Sequence, residues 1–204
     1  MKTVRALIVC LALIAAAGLL FALSGLYDVA ADTEHTGPVE WVLRTTQSRS
    51  VHRRAGEVRP PAWLARPDPA VLRTGLVHYH EMCVTCHGAP GVDLSEIAQG
   101  LNPPPPELSQ EAEEPEELFW VTKHGIKMTG MPAFGVTHDD EEIWAIVAFL
   151  QQMPRMTKEQ YQARLVAAGL APKPAAPAQE TAPPSGHTHA PGHAHAPGHT
   201  HTPD

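Results

Sequence analysis

The chain has 204 residues and a formal net charge of −7 with its 13 histidines neutral. That length gives room for one domain plus accessories, and the acidic balance argues against nucleic acid as a partner. Aromatic residues make up only 5% while 21 residues are proline, which excludes a single core running the length of the chain and predicts long stretches that do not pack.

The first segment, 1–27, reads as a transmembrane anchor. Ala6 to Leu26 is free of charge. A helix of that length reaches about 30 Å, the thickness of a bilayer's hydrocarbon core. Lys2 and Arg5 precede it, and Asp28 and Asp32 follow. The cationic end stays in the cytoplasm, so the rest of the chain is expected on the outer, periplasmic face of an inner membrane. The competing reading is a cleaved signal peptide, for which Val29-Ala30-Ala31 offers small residues. The apolar run is longer than the 7–15 residues or so of a signal core, which favours the anchor. Cys10 lies inside this run and is read as an apolar side chain facing lipid.

Residues 28–67 form a basic juxtamembrane linker. Between Thr33 and Pro69 six arginines face four acids, a balance of +2. Pro38 opens a predicted helix to about Arg54, carrying Trp41, Val42 and Leu43, then Arg44, Arg49, Arg53 and Arg54. Two readings stand: an interfacial helix with its Trp near lipid head groups, or a solvated spacer. Arg59-Pro60-Pro61 and Arg66-Pro67-Asp68-Pro69 then break the chain.

A globular region is expected over 68–155. Asp68-Pro69 suits an N-cap with Pro at N1, and Leu72, Leu76, Tyr79 and Cys83 recur at helical spacing. A further turn is expected from Glu96 to about Leu101, an extended loop at Asn102 to Pro106, and a helix from Glu116 to His124 stopped by Gly125. Thr137 or His138 precedes a third helix whose first turn holds Asp139 to Glu142, against the positive end of the helix dipole. It continues through Ile143, Trp144, Ile146, Val147, Phe149 and Leu150 and ends before Pro154. From Ala70 to Leu170 six cations face fourteen acids, so a basic collar precedes an acidic domain. That suits a partner with a basic docking face, or simply solubility.

Thr157 to Ala168 reads as a short polar helix, giving a separate segment 156–170. From 171 to 204 Ala, Pro and His dominate and the segment is expected to be disordered. It ends in three hexads of the form Gly-His-x-His-x-Pro, containing His187, His189, His193, His195, His199 and His201. Paired imidazoles at that spacing suit Cu(II), Ni(II) or Zn(II), with Cu(II) tightest.

The chemistry is concentrated in Cys83-Val84-Thr85-Cys86-His87, the c-type haem attachment pentapeptide. Two thiols one helical turn apart each add across a haem vinyl group, and the adjoining imidazole coordinates the iron. A Cys-x-x-Cys redox pair would require a βαβ setting, which the pattern lacks. A zinc knuckle would require a second ligand pair, for which only His78 and His80 are near.

Around this pentapeptide the stretch from about Asp68 to Gln152 resembles the class I, mono-haem cytochrome c family. Gly75 and Tyr79 match the Gly and aromatic with which that family's first helix meets its last, and Ile146 and Phe149 match the last-helix positions. The resemblance implies an all-α, cytochrome c-like haem domain with one covalently bound haem c. It implies Cys83 and Cys86 as the thioether residues and His87 as the proximal ligand. Gly130-Met131-Pro132-Ala133-Phe134-Gly135 resembles the family's methionine loop, so Met131 is the expected distal ligand, with Met128 the runner-up. It further implies that a proline carbonyl within Pro103 to Pro106 orients His87. Trp120 is read either as a propionate partner or as a structural residue, and His124 as exposed or propionate-facing.

The implied activity is electron transfer by iron cycling between Fe(II) and Fe(III), with redox proteins as partners and no substrate turnover by the chain itself. Anchor, collar and tail together resemble membrane-tethered bacterial cytochromes of respiratory chains. Two other functions stay open: the haem subunit of a larger membrane oxidase or dehydrogenase, and a metal-handling protein working through the His-rich tail.

Overall fold

The computed structural model describes residues 2–110 and 113–170. Among these the regular structure is helical, apart from one isolated β-bridge between Ala89 and Val92. The His-rich tail, and with it His187, His189, His193, His195, His199 and His201, lies outside the described residues.

Helix α1, Lys2–Leu23, is long and apolar enough to cross a membrane and buries none of its residues against the rest of the chain. Helix α2, Gly37–Ala55, begins with Pro at its second position, where the missing N–H is not needed. After a single 3₁₀ turn at Ala62–Ala65 comes α3, Pro69–His78. Asp68 occupies the N-cap as its sequence suggests, but its carboxylate makes no capping bond.

From α3 the chain continues without a break into a π-helical turn, Tyr79–Cys83, and then α4, Val84–His87. Short α5, Glu96–Gln99, is capped by Ser95, and α6 runs over Pro115–His124 and stops at Gly125. Helix α7, Asp140–Leu150, starts one residue later than its acidic run suggests. Asp139 is the N-cap, exchanging hydrogen bonds with Glu142 in a capping box, and this outcompetes Thr137 and His138. Helix α8, Lys158–Ala168, has its own capping box between Thr157 and Gln160.

The core is organised around α7, whose residues Ile143 through Leu150 are all buried. On one side Ile146, Phe149 and Leu150 join Leu76, Tyr79, Cys83 and Val84. On another, Ile143, Trp144 and Val147 join Phe119 of α6, whose ring stacks on Trp144 at 4.2 Å. Helices α3 and α7 touch at Gly75. A Cβ there would lie 2.0 Å from the Ala145 carbonyl oxygen and 2.9 Å from the Phe149 Cβ. Only a residue with no side chain permits this approach.

Two segments that the sequence sets apart are packed into this core. Helix α8 is not a separate polar element. Tyr161 and Leu165 are buried in the same cluster as Tyr79 and Phe149, and the Tyr161 hydroxyl lies 3.1 Å from His80 Nδ1. Two apolar residues four apart suffice to dock one face of a helix whose other positions are polar. Helix α2 likewise docks. Val51 and Ala55 are buried, Val58 and Leu64 pack on the Phe119–Trp144 cluster, and His52 Nδ1 lies 3.0 Å from Glu117 Oε1.

The phenols of Tyr79 and Tyr161 are held well above their ordinary value, in both cases chiefly by burial, which disfavours the phenolate. Tyr79 donates to the Gly88 carbonyl at 2.6 Å. A raised folded value means that the stabilisation is complete below the unfolded value of about 10 and is lost as pH rises through the folded one. Denaturant unfolding at a series of pH values should therefore show stability level from neutrality to about pH 10. Above it, stability should fall by up to about 1.4 kcal/mol per pH unit for Tyr79. Unchanged stability to pH 12 would mean that these phenols ionise freely in the folded protein.

Candidate functional site

The π-helical turn ends on Cys83, the first residue of the Cys-x-x-Cys-His segment. One such bulge inserts a residue into the helix and rotates everything after it. Cys83 and Val84, where this turn meets α4, are buried, while Cys86 and His87 are half-buried. The segment is pinned at both ends. Tyr79 reaches across to the carbonyl of Gly88, and Ser95 Oγ donates to the Thr85 carbonyl at 2.6 Å.

Cys83 and Cys86 are both free thiols. Burial, with a smaller contribution from Cys86, pushes the Cys83 thiol up to about 12. A disulfide-exchange cysteine requires the opposite, a depressed value that populates thiolate at neutral pH. The zinc-knuckle alternative also fails on position. His78 lies 3.9 Å from Glu142 and edge-on to His138, and His80 meets Tyr161. Among the described residues, no group of three or more His, Cys, Asp or Glu side chains is assembled to hold a metal ion.

His87 Nδ1 donates to the carbonyl of Pro106 at 2.8 Å. This selects Pro106 from the four prolines of the loop. A proton on Nδ1 leaves the lone pair on Nε2, the form a metal-binding imidazole requires. Burial lowers the imidazole's affinity for a second proton, partly offset by the Pro106 bond, which keeps the ring neutral and available.

The loop after α6 holds Met131 by its backbone. Its N–H donates to Thr129 Oγ1 at 3.1 Å, and its carbonyl accepts from the Ile126 N–H at 3.1 Å. Thr129 Oγ1 in turn donates to the Ile126 carbonyl at 2.8 Å. Gly125, at φ +63°, passes so close that a Cβ there would sit 2.7 Å from the Met131 carbonyl oxygen. The Met131 side chain is half-buried, whereas Met128, at φ 60°, is 99% exposed. The clamp by Thr129 escapes a search for ligand types; its trace in the sequence is a hydroxyl residue two places before the methionine, able to form a local turn.

Trp120 is half-buried with its ring 4.9 Å from that of His124, and His124 is exposed. A groove of about 440 Å³ borders His87, Pro90, Asp93, Leu94, Gln99 and Glu107. It touches neither cysteine nor Met131, so it is not the space those residues share.

The donor set therefore fits haem c: two unpaired thiols one helical turn apart, a neutral imidazole oriented by a carbonyl, and a half-buried thioether on a clamped loop. Residues 70–150 match the family model described as "Cytochrome C oxidase, cbb3-type, subunit III". No curated protein matches the chain. On this combination of match, fold and donors, residues 70–150 form a mono-haem c-type cytochrome domain: an all-α haem domain that carries one covalently attached haem c and serves haem-based electron transfer.

Proposed function

We propose that the protein is a membrane-tethered respiratory electron carrier, held by α1 in an inner membrane with the haem domain on the periplasmic face. Cys83 and Cys86 form the two thioether links, His87 is the proximal ligand and Met131 the distal one. The bound haem supplies a one-electron Fe(II)/Fe(III) couple. The chain's part is to hold both axial donors through the redox change. Pro106 fixes the His87 ring, Thr129 and Ile126 fix the Met131 backbone, and the buried Cys83–Val84 side of α4 excludes water.

The observation that carries this reading is the Cys-x-x-Cys-His helix whose imidazole is already oriented by a backbone carbonyl. Its test is covalency. Holoprotein made with a working haem-attachment system, denatured and extracted with acidified organic solvent, should keep its pigment with the polypeptide. A Cys83→Ala/Cys86→Ala double variant should yield no covalent pigment. Pigment released from the wild-type chain would end the reading.

A second reading, the haem subunit of a larger membrane complex, is favoured by the description of the matching family, an oxidase subunit. Mild-detergent purification decides between the two: stoichiometric co-purifying membrane subunits would support the complex, and a lone chain the carrier.

For the tail we propose divalent metal binding by the three His-x-His pairs, with Cu(II) bound tightest. Calorimetric titration of the full chain should show copper bound at least tenfold more tightly than to a variant with His187, His189, His193, His195, His199 and His201 replaced by Ala. Equal affinity would leave the repeat a solvated extension.

A further inference from the structure

Helix α2 has two faces with different fates. Taking 100° per residue, Val51 and Ala55 define the side that docks on α6, and Val42, Arg49 and Arg53 project from the opposite side. All three of the latter are exposed. Arg44 is paired with Glu40 and Arg54 with Ser50, but neither Arg49 nor Arg53 has a partner among the described residues. At the helix's N-terminal end Trp41 is 68% exposed, beside exposed Val42 and Leu43. Arg49 and Arg53 follow Val42 on the same side about two and three turns further along, and an apolar helix end continued by unpaired guanidinium groups is the composition of a surface that sits at lipid head groups.

The chain keeps this face close to any membrane that α1 enters. Only residues 24–36 separate α1 from α2, at most about 45 Å if fully extended. They are far from extended. Tyr27 Oη lies 3.0 Å from His35 Nδ1, and Asp28 accepts from the Ala30 N–H at 2.9 Å and the Thr33 hydroxyl at 3.1 Å. Asn102 Nδ2, at the start of the loop that ends in Pro106, donates to the Thr33 carbonyl at 3.2 Å. The linker is thus tied both to itself and to the loop that orients His87.

We propose that the outer stripe of α2, centred on Arg49 and Arg53, binds the head groups of anionic lipids and so fixes the haem domain's pose on the membrane. The proposal rests on the tethered reading. Because Val51, Ala55 and His52 couple α2 to α6, binding at this stripe sets the direction in which the haem domain faces its redox partners. The first half of α2 buries nothing, and an isolated helical segment of that length is marginal in water. A lipid surface stabilises it, each arginine near an anionic surface contributing about a fivefold bias.

The test uses the full-length holoprotein in nanodiscs of zwitterionic lipid alone or with anionic lipid added. Amide hydrogen exchange over residues 38–50 should be at least about tenfold slower in the anionic discs. Arg49→Gln/Arg53→Gln should abolish that difference without altering exchange in α7. Equal exchange in the two lipids, with the chain incorporated, would overturn the proposal and leave α2 as a site for an acidic protein or a plain spacer. Failure of the chain to incorporate at all, with α1 absent by mass spectrometry, would overturn the tether on which it rests.

Discussion

Alanine at position 75 should destabilise the holoprotein by at least about 2 kcal/mol, the range in which overpacked cores fall. The sign is the informative part. Inside a helix Gly→Ala ordinarily stabilises by up to about 1 kcal/mol, because alanine loses less backbone freedom. Here the added methyl would stand 2.0 Å from the Ala145 carbonyl oxygen and 2.6 Å from its carbon, both backbone atoms of the most buried helix. Neither can swing aside, so α3 must move off α7. That displacement carries Tyr79 and the attachment segment with it. Guanidinium unfolding followed by far-ultraviolet circular dichroism measures the effect. Thr74→Ala, at the exposed neighbouring position, serves as the control and should be neutral or slightly stabilising. If the two variants behave alike, the α3–α7 contact is looser than described.

The second large effect is expected at Met131. Met131→Ala should abolish the thioether-to-ferric charge-transfer band of the oxidised protein and lower the reduction potential by on the order of 0.1 V or more, since a thioether ligand favours Fe(II). Met128→Ala should change neither. The contrast follows from placement: Met128 is 99% exposed on a positive-φ residue, while Met131 is half-buried and bonded through both its N–H and its carbonyl. Redox titration and the oxidised spectrum of the two variants measure this directly. A silent Met131→Ala would reassign the distal ligand.

Much of the site could be read from the chain alone because its chemistry is local. Cys83, Cys86 and His87 lie within one helical turn, and a spacing of that kind survives any tertiary arrangement. The choice among Pro103 to Pro106 could not be read in this way. Four identical residues in a row offer four identical carbonyls, and only the packing of the loop against α4 brings the one of Pro106 to 2.8 Å from the imidazole. The Thr129 clamp was hidden for a related reason: a hydroxyl two residues from a methionine is common, and its bond becomes specific only when Gly125 folds the loop back on itself. The capped helices after Pro38 were legible, most of their ends to within about two residues, since caps and prolines act locally, whereas α1 starts four residues before the uncharged run and the π-helical turn at Tyr79–Cys83 left no local signal. Asp139 displaced its neighbours as N-cap because Glu142 could complete the reciprocal bonds.

By itself, then, the amino-acid order determined that this protein is helical, that it begins with a segment able to span a membrane, and that one short motif fits haem c. These follow from periodicity, length and covalent spacing, which are properties of the chain within a few turns of itself. Which segments belong to the folded body was decided only in three dimensions. Helices α2 and α8 are polar over most of their surface, so neither announces a core-facing side. Each docks through one small patch, Val51 with Ala55 on α2 and Tyr161 with Leu165 on α8, that acquires meaning only when α6, α3 and α7 supply the opposing surface. Burial of an apolar side chain is a property of a pair of surfaces, and the second surface of each pair lies tens of residues away in the chain.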